Sequence, residues 1–224
     1  MDIETYLRLA TPDEFPGVRF GTGVMVYGTV RILSGTCIGD YSIIGVPTCE
    51  DIREREAPHE TLIGKDVCTG VHCVIHSGAK IGHRVLIQNH CSIGSECAIG
   101  NDSRIQYAAQ LHWKVKIGTQ CVIGGFCCDR SSVGDGAIVL GKLIHKLKDP
   151  RASWDETEEP SPVVEKKAVV GFDALLIGGI TVRFEAYVAA GAIVTKDVLP
   201  GSLVIGTKHY TAAEWRTQKR SVHE

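Results

Sequence analysis

From Ile63 onward every sixth residue follows one rule. The series Ile63, Thr69, Ile75, Ile81, Ile87, Ile93, Ile99, Ile105, Leu111, Ile117 and Ile123 is Ile or Leu at all but one position. A six-residue frame also occurs upstream at Phe20, Val26, Ile32, Ile38 and Ile44, and one reappears downstream in a new register at Val164, Val170, Leu176, Val182, Val188 and Val194. Two residues before each member of the central run stands a second, generally smaller side chain, among them Val67, Cys73, Ala79, Cys91, Cys97, Ala109 and Cys121. Residues two apart in extended chain share a face, so each repeat turns one small and one large side chain the same way. A helix is excluded, because a six-residue period does not keep one stripe on a 3.6-residue spiral. Gly follows the aliphatic residue at Gly64, Gly82, Gly94, Gly100 and Gly118; a residue without Cβ is expected to turn a corner there through unusual dihedrals. Three strands and three corners close a triangular coil of 18 residues, and stacked coils make an all-β parallel β-helix solenoid.

Composition fits that reading. Of 224 residues 25 are Gly and only 6% are aromatic, as expected where corners take Gly and a narrow core takes Ile, Val and small side chains. The nine Cys form no CxxC pair. Cys73, Cys91, Cys97, Cys121 and Cys127 fall on small inward positions and read as compact hydrophobes, leaving Cys128 as the candidate reactive thiol. Twenty-four Lys and Arg against 26 Asp and Glu provide no field for a polyanion, so nucleic-acid binding is not expected. No window has the length of a membrane span, and the acidic start at Met1-Asp2-Ile3-Glu4 lacks the features of a secretory signal; a cytoplasmic protein is expected. Residues 1–206 read as one solenoid domain, interrupted by charged, Pro-containing insertions at 45–60 and 146–162. Residues 207–224 read as a short C-terminal cap or tail.

The repeat resembles the left-handed β-helix, hexapeptide-repeat acyltransferases over nearly the whole chain. Left-handed coils, homotrimeric assembly and active sites between subunits are what the resemblance implies. Pro150-Arg151 through Trp154, then Pro162-Val163-Val164-Glu165-Lys166-Lys167-Ala168 and Val170-Gly171, look like the nucleotide-sugar N-acetyltransferases, which use acetyl-CoA. Ile44-Gly45-Val46-Pro47, Glu60-Thr61-Leu62-Ile63-Gly64 and Ile75-His76-Ser77-Gly78 look like the O-acyltransferase of lipid A synthesis, which draws on acyl carrier protein. No counterpart of that enzyme's long C-terminal helical domain is expected within Thr207 to Glu224, which favours CoA. A non-catalytic β-helix assembly module is the remaining alternative.

Acyl transfer needs a base for the acceptor's proton. In the family the catalytic residue often stands two positions after the aliphatic one, which in Ile87-Gln88-Asn89-His90-Cys91-Ser92-Ile93-Gly94 is Asn89, followed by His90. Residues 18 apart stack, so His72, Gln88, Asn89, His90, Gln106 and Tyr107 make one polar corner. Asn89 and His90 are catalytic candidates there, and His72, Gln88, Gln106 and Tyr107 substrate-binding ones; a solvated edge with an Asn suited to a tight turn is the plain alternative. A second corner carries His76, His112 and Trp113, with His112 a candidate base and Trp113 a substrate platform. The related zinc enzymes would need a third His where Ile117 stands, so no metal is expected. His83 ranks lower, beside a Gly-rich corner. For acetyl-CoA, the terminal coils present Gly178, Gly179, Ala189 and Ala190 as open backbone and Lys166, Lys167 and Lys196 as phosphate partners.

Overall fold

The computed structural model of the chain describes residues 9–27, 29–54, 59–146, 149 and 159–215. Most strands are two or three residues long, as a six-residue repeat that also turns a corner requires. Up to Ile193–Val194, the strands pair in parallel with strands three places away in sequence, not with their sequence neighbours, except that Tyr187–Val188 also pairs with Leu203–Ile205. Three flat faces result among the described residues. Face A has eleven strands, from Arg19–Phe20 through Leu86–Ile87 to Lys208–Tyr210; face B has nine, from Met25–Val26 through Ser92–Ile93 to Ile193–Val194; face C has eight, from Val30–Ile32 through Ala98–Ile99 to Thr181–Val182. The chain visits A, B and C in turn, and about nine coils stack into a prism.

Both inward positions of the repeat are buried: Ile75, Ile87, Ile93, Ile105 and Ile123 are fully enclosed, as are the smaller Cys73, Cys97, Ala109 and Val115. Branched side chains suit a pleated wall packed from one side, and each enclosed Ile or Val contributes about 1.5–3 kcal/mol relative to exposure. Cys128, the sequence's candidate reactive thiol, is also buried, and burial raises its pKa.

The glycines act differently from the expectation. Gly64, Gly82, Gly94, Gly100 and Gly118 do not have positive φ; the left-handed residue stands two positions on, and it is usually not Gly, as at Arg84, Glu96, Asp102 and Gln120. What these glycines provide is close approach. A Cβ on Gly64 would lie 2.5 Å from the Gly82 carbonyl oxygen, and one on Gly100 2.5 Å from the Gly118 carbonyl carbon, so the coils could not stack at this spacing. The left-handed residues are held by the stack, since the amides of His72, His90 and Ala108 donate to the carbonyls of Asp40, Val71 and Asn89 in the coil beneath.

Two irregularities shape the prism. At Gly124–Gly125 a corner loses two residues, so that Gln110 pairs with Phe126 and Leu111 with Cys127. Both insertions leave from the edge between faces B and C. The first separates Ile43–Val46 from Thr61–Ile63 and contains a short helix, α1 (Cys49–Glu54); the second separates Lys142–Ile144 from Val163–Val164. Beyond the last coil, Leu203–Ile205 turns back against Lys208–Tyr210 in antiparallel fashion. Trp215 Nε1 donates to the Gly201 carbonyl at 3.1 Å. Trp154 lies outside the described residues. Within them, no helix is long and apolar enough to cross a membrane.

Candidate active site

The two polar corners read from the sequence lie on different edges of the prism. On the edge between faces A and B, Tyr41 stacks on His72 and His72 on His90, each pair 5.3 Å apart and nearly parallel, and Tyr107 meets His90 edge-on at 5.5 Å. The stacking of His72 under His90 follows from the 18-residue spacing, whereas Tyr107, 18 residues after Asn89, meets His90 from the next coil. Asn89 is engaged in the architecture of this corner: its Oδ1 accepts the Val71 amide at 3.1 Å. Asp40, Asn101, Asp135 and Asp197 accept the amides of Thr22, His83, Thr119 and Thr181 in the same way. Gln88 Oε1 takes the Tyr107 amide at 2.8 Å. On the edge between faces C and A, His83 Nδ1 accepts the Lys65 amide.

The edge between faces B and C is hollow. A groove of about 860 Å³ is bounded by Pro47 to Asp51 and His59 of the first insertion, with His76, Glu96, His112, Trp113 and Asp129 among the residues of its floor. That volume suits a small-molecule site. His112, half-exposed, points Nδ1 at Asp129 Oδ1 across 3.8 Å, and its ring rests on Phe126 with centroids 4.6 Å apart. Asp129 Oδ1 also accepts the Trp113 amide at 2.9 Å, so the carboxylate is fixed from the backbone side. The Trp113 indole is fixed too: Nε1 donates to Glu96 Oε1 at 3.1 Å, Lys114 Nζ lies 4.0 Å from the ring centroid, and the Arg130 guanidinium lies 4.8 Å away.

The wall is clipped to this floor. Asp51 Oδ2 accepts the Thr48 amide at 2.8 Å and the Ser77 hydroxyl at 3.3 Å, and Thr48 Oγ1 accepts the Asp51 amide in return, a reciprocal cap at the start of α1. Beneath it, burial lowers the pKa of His76, opposed by the Val46 carbonyl and the Asp51 charge. At the end of the second insertion, Ser161 Oγ donates to the Asp129 carbonyl. An imidazole with one nitrogen facing a fixed carboxylate can take a proton from a group in the groove, and the carboxylate then stabilises the imidazolium.

The residues expected to hold acetyl-CoA are spread over three edges of one chain. Gly178, Gly179 and Lys196 follow face B strands on the groove edge, Ala189 and Ala190 lie on the edge of the histidine stack, and Lys166 and Lys167 lie between faces C and A. Gly179 is not open backbone, because Pro160 of the second insertion fills the place of its Cβ. Lys167 pairs with Glu185 at 3.9 Å. Asp129, Glu96 and Asp51 line the groove and were not singled out from the sequence. Counting by 18 places Arg130 above His112; the shortened corner at Gly124–Gly125 instead sets Asp129 against Trp113. Asp51 belongs to an insertion, which no repeat can position.

No protein-family model matches the chain. Over 76 residues it is 38% identical to 2,3,4,5-tetrahydropyridine-2,6-dicarboxylate N-acetyltransferase of Staphylococcus aureus, a match of 34% of this chain and 27% of that protein. The matched stretch is thus about a quarter of the curated relatives' length. Among solved structures, LpxA from Acinetobacter baumannii superposes with a TM-score of 0.57 at 15% identity, covering 89% of this chain and 77% of that one. This second likeness is one of fold. In its repeat and in its fold, the chain is a hexapeptide-repeat, left-handed parallel β-helix.

Proposed function

We propose that the protein is a CoA-dependent acyltransferase that moves an acetyl group from acetyl-CoA to the amine, or a hydroxyl, of a small acceptor, a nucleotide-linked amino sugar by preference. The observation that carries this reading is the groove between faces B and C, in which His112 faces Asp129 beside the fixed ring of Trp113. The local match to an N-acetyltransferase supports it. Acetyl-CoA would supply the acetyl group as an activated thioester. His112 removes the acceptor's proton as its nitrogen or oxygen attacks the thioester carbonyl, Asp129 holds the imidazolium, and His112 returns the proton to the departing sulfur. Trp113 offers a flat, immobile surface for the acceptor.

Gly178 and Lys196 continue the groove edge into the upper coils and are assigned to the CoA arm. Lys166, Lys167, Ala189 and Ala190 lie on other edges and would reach a CoA molecule only from a neighbouring copy, which a closed homotrimer provides. Calorimetric titration with acetyl-CoA tests the reading: we expect saturable binding, and acetylated product with an amino-sugar nucleotide. Absence of binding by any acyl-CoA would overturn it.

A further inference from the structure

Three of the nine cysteines are not buried: Cys37, Cys49 and Cys68. Two of them are neighbours. Cys37 and Cys68 are direct Cα partners in parallel strands of face A, and both carry their side chains on the outer side of the sheet, since the residues that follow, Ile38 and Thr69, are the buried ones. Adjacent strands lie about 4.8 Å apart, inside the roughly 4.4–6.8 Å Cα separation that a disulfide spans. In the coil beneath, Arg19 pairs with Cys37 and aims two donors at its sulfur, Nε at 3.1 Å and Nη2 at 2.8 Å. Thiol oxidation proceeds through negative charge on sulfur, and here a guanidinium faces the sulfur that would carry it. Cys49, on α1, has no such neighbour among the contacts of the described residues.

We propose that Arg19, Cys37 and Cys68 form a thiol oxidation site on face A, separate from the groove, that reacts with a hydroperoxide. Cys37 sulfur attacks the distal peroxide oxygen; the O–O bond breaks, the alcohol or water leaves as its anion and takes up a proton, and Cys37 becomes a sulfenic acid. Cys68 sulfur then attacks the sulfenic sulfur, giving up its own proton, and water leaves. In sum two thiols and ROOH yield a disulfide, ROH and water. Partial burial and the nearby Cys37 raise the pKa of the Cys68 thiol, opposed by Arg19, which disfavours Cys68 as the thiol that meets the peroxide first. The disulfide would join the coil before the first insertion to the coil after it.

The test is brief exposure of the full-length protein to hydrogen peroxide, followed by alkylation, digestion and mass mapping. We expect a Cys37–Cys68 linked peptide within one chain, trapping of a Cys37 sulfenic acid by dimedone in Cys68→Ser, and oxidation slowed about fivefold or more in Arg19→Ala but less in Arg19→Lys. Arg19 is exposed, and circular dichroism checks that its variants fold. Oxidation of Cys49 as fast as Cys37, no oxidation of Cys37, links only between chains, or an unchanged rate in Arg19→Ala would each overturn the proposal.

Discussion

At the corner after Ile87 an Asn side chain completes the hydrogen bonding of the coil beneath it, and the glycine there makes this possible. A Cβ on Gly70 would collide with Asn89 Oδ1, so the small residue in one coil and the Asx residue in the next form a unit, repeated at Gly21 with Asp40, Gly82 with Asn101 and Gly118 with Asp135. The same carboxylate geometry lowers the pKa of Asp135, through hydrogen bonds from the Thr119 amide and hydroxyl. Asn89→Ala should therefore cost about 0.5–1.5 kcal/mol, the net worth of one hydrogen bond. For a chain of this size that is a melting temperature lower by about 2–4 °C per kcal/mol. Asn89→Asp keeps the acceptor and should melt within about 1 °C of the wild type, and both variants should retain turnover. Calorimetry and a kinetic assay check this; loss of turnover in Asn89→Ala at an unchanged melting temperature would return Asn89 to the chemistry. The need for Gly was legible in the sequence, but its reason was not, because contact between coils is a property of the stack and not of one repeat.

At the scale of elements, the insertions determine where chemistry is possible. A regular β-helix offers flat faces and tight corners, and a concave site requires something to rise beside them. Helix α1 does this with six residues, too few to be stable alone, and is held by Asp51, which serves both its cap and Ser77. Asp51→Ala removes both anchors. With a cap worth about 1 kcal/mol, local opening should become about fivefold more frequent. Limited proteolysis should show cleavage within residues 46–60 rising by that factor, while the melting temperature of the solenoid stays within about 1 °C, since no core side chain is touched. Unchanged proteolysis would mean that the wall is held by other contacts. The insertions were legible in the sequence as interruptions of the period, but that both leave from one edge emerges only when strands are assigned to faces.

At the scale of the whole molecule, the prism separates candidates that lie close together in sequence. His90 and His112 are 22 residues apart, yet one belongs to a ladder of stacked rings between faces A and B and the other to a groove between faces B and C. The fold was legible because burial imposes its period on every repeat. The candidate site was legible only in part: His112 and Trp113 stand out as polar and aromatic interruptions, whereas Asp129 was hidden by a corner two residues short, and Asp51 by an insertion without a repeat. With acyl transfer assigned to the groove and architecture to the ladder, parallel measurement of kcat/KM for acetyl-CoA-dependent acetylation in His112→Ala and His90→Ala tests that assignment most directly. We expect a loss of about 100-fold or more for His112→Ala, in the range of a removed general base, with His90→Ala within a few-fold of the wild type. Near wild-type turnover in His112→Ala, with collapse in His90→Ala, would contradict it.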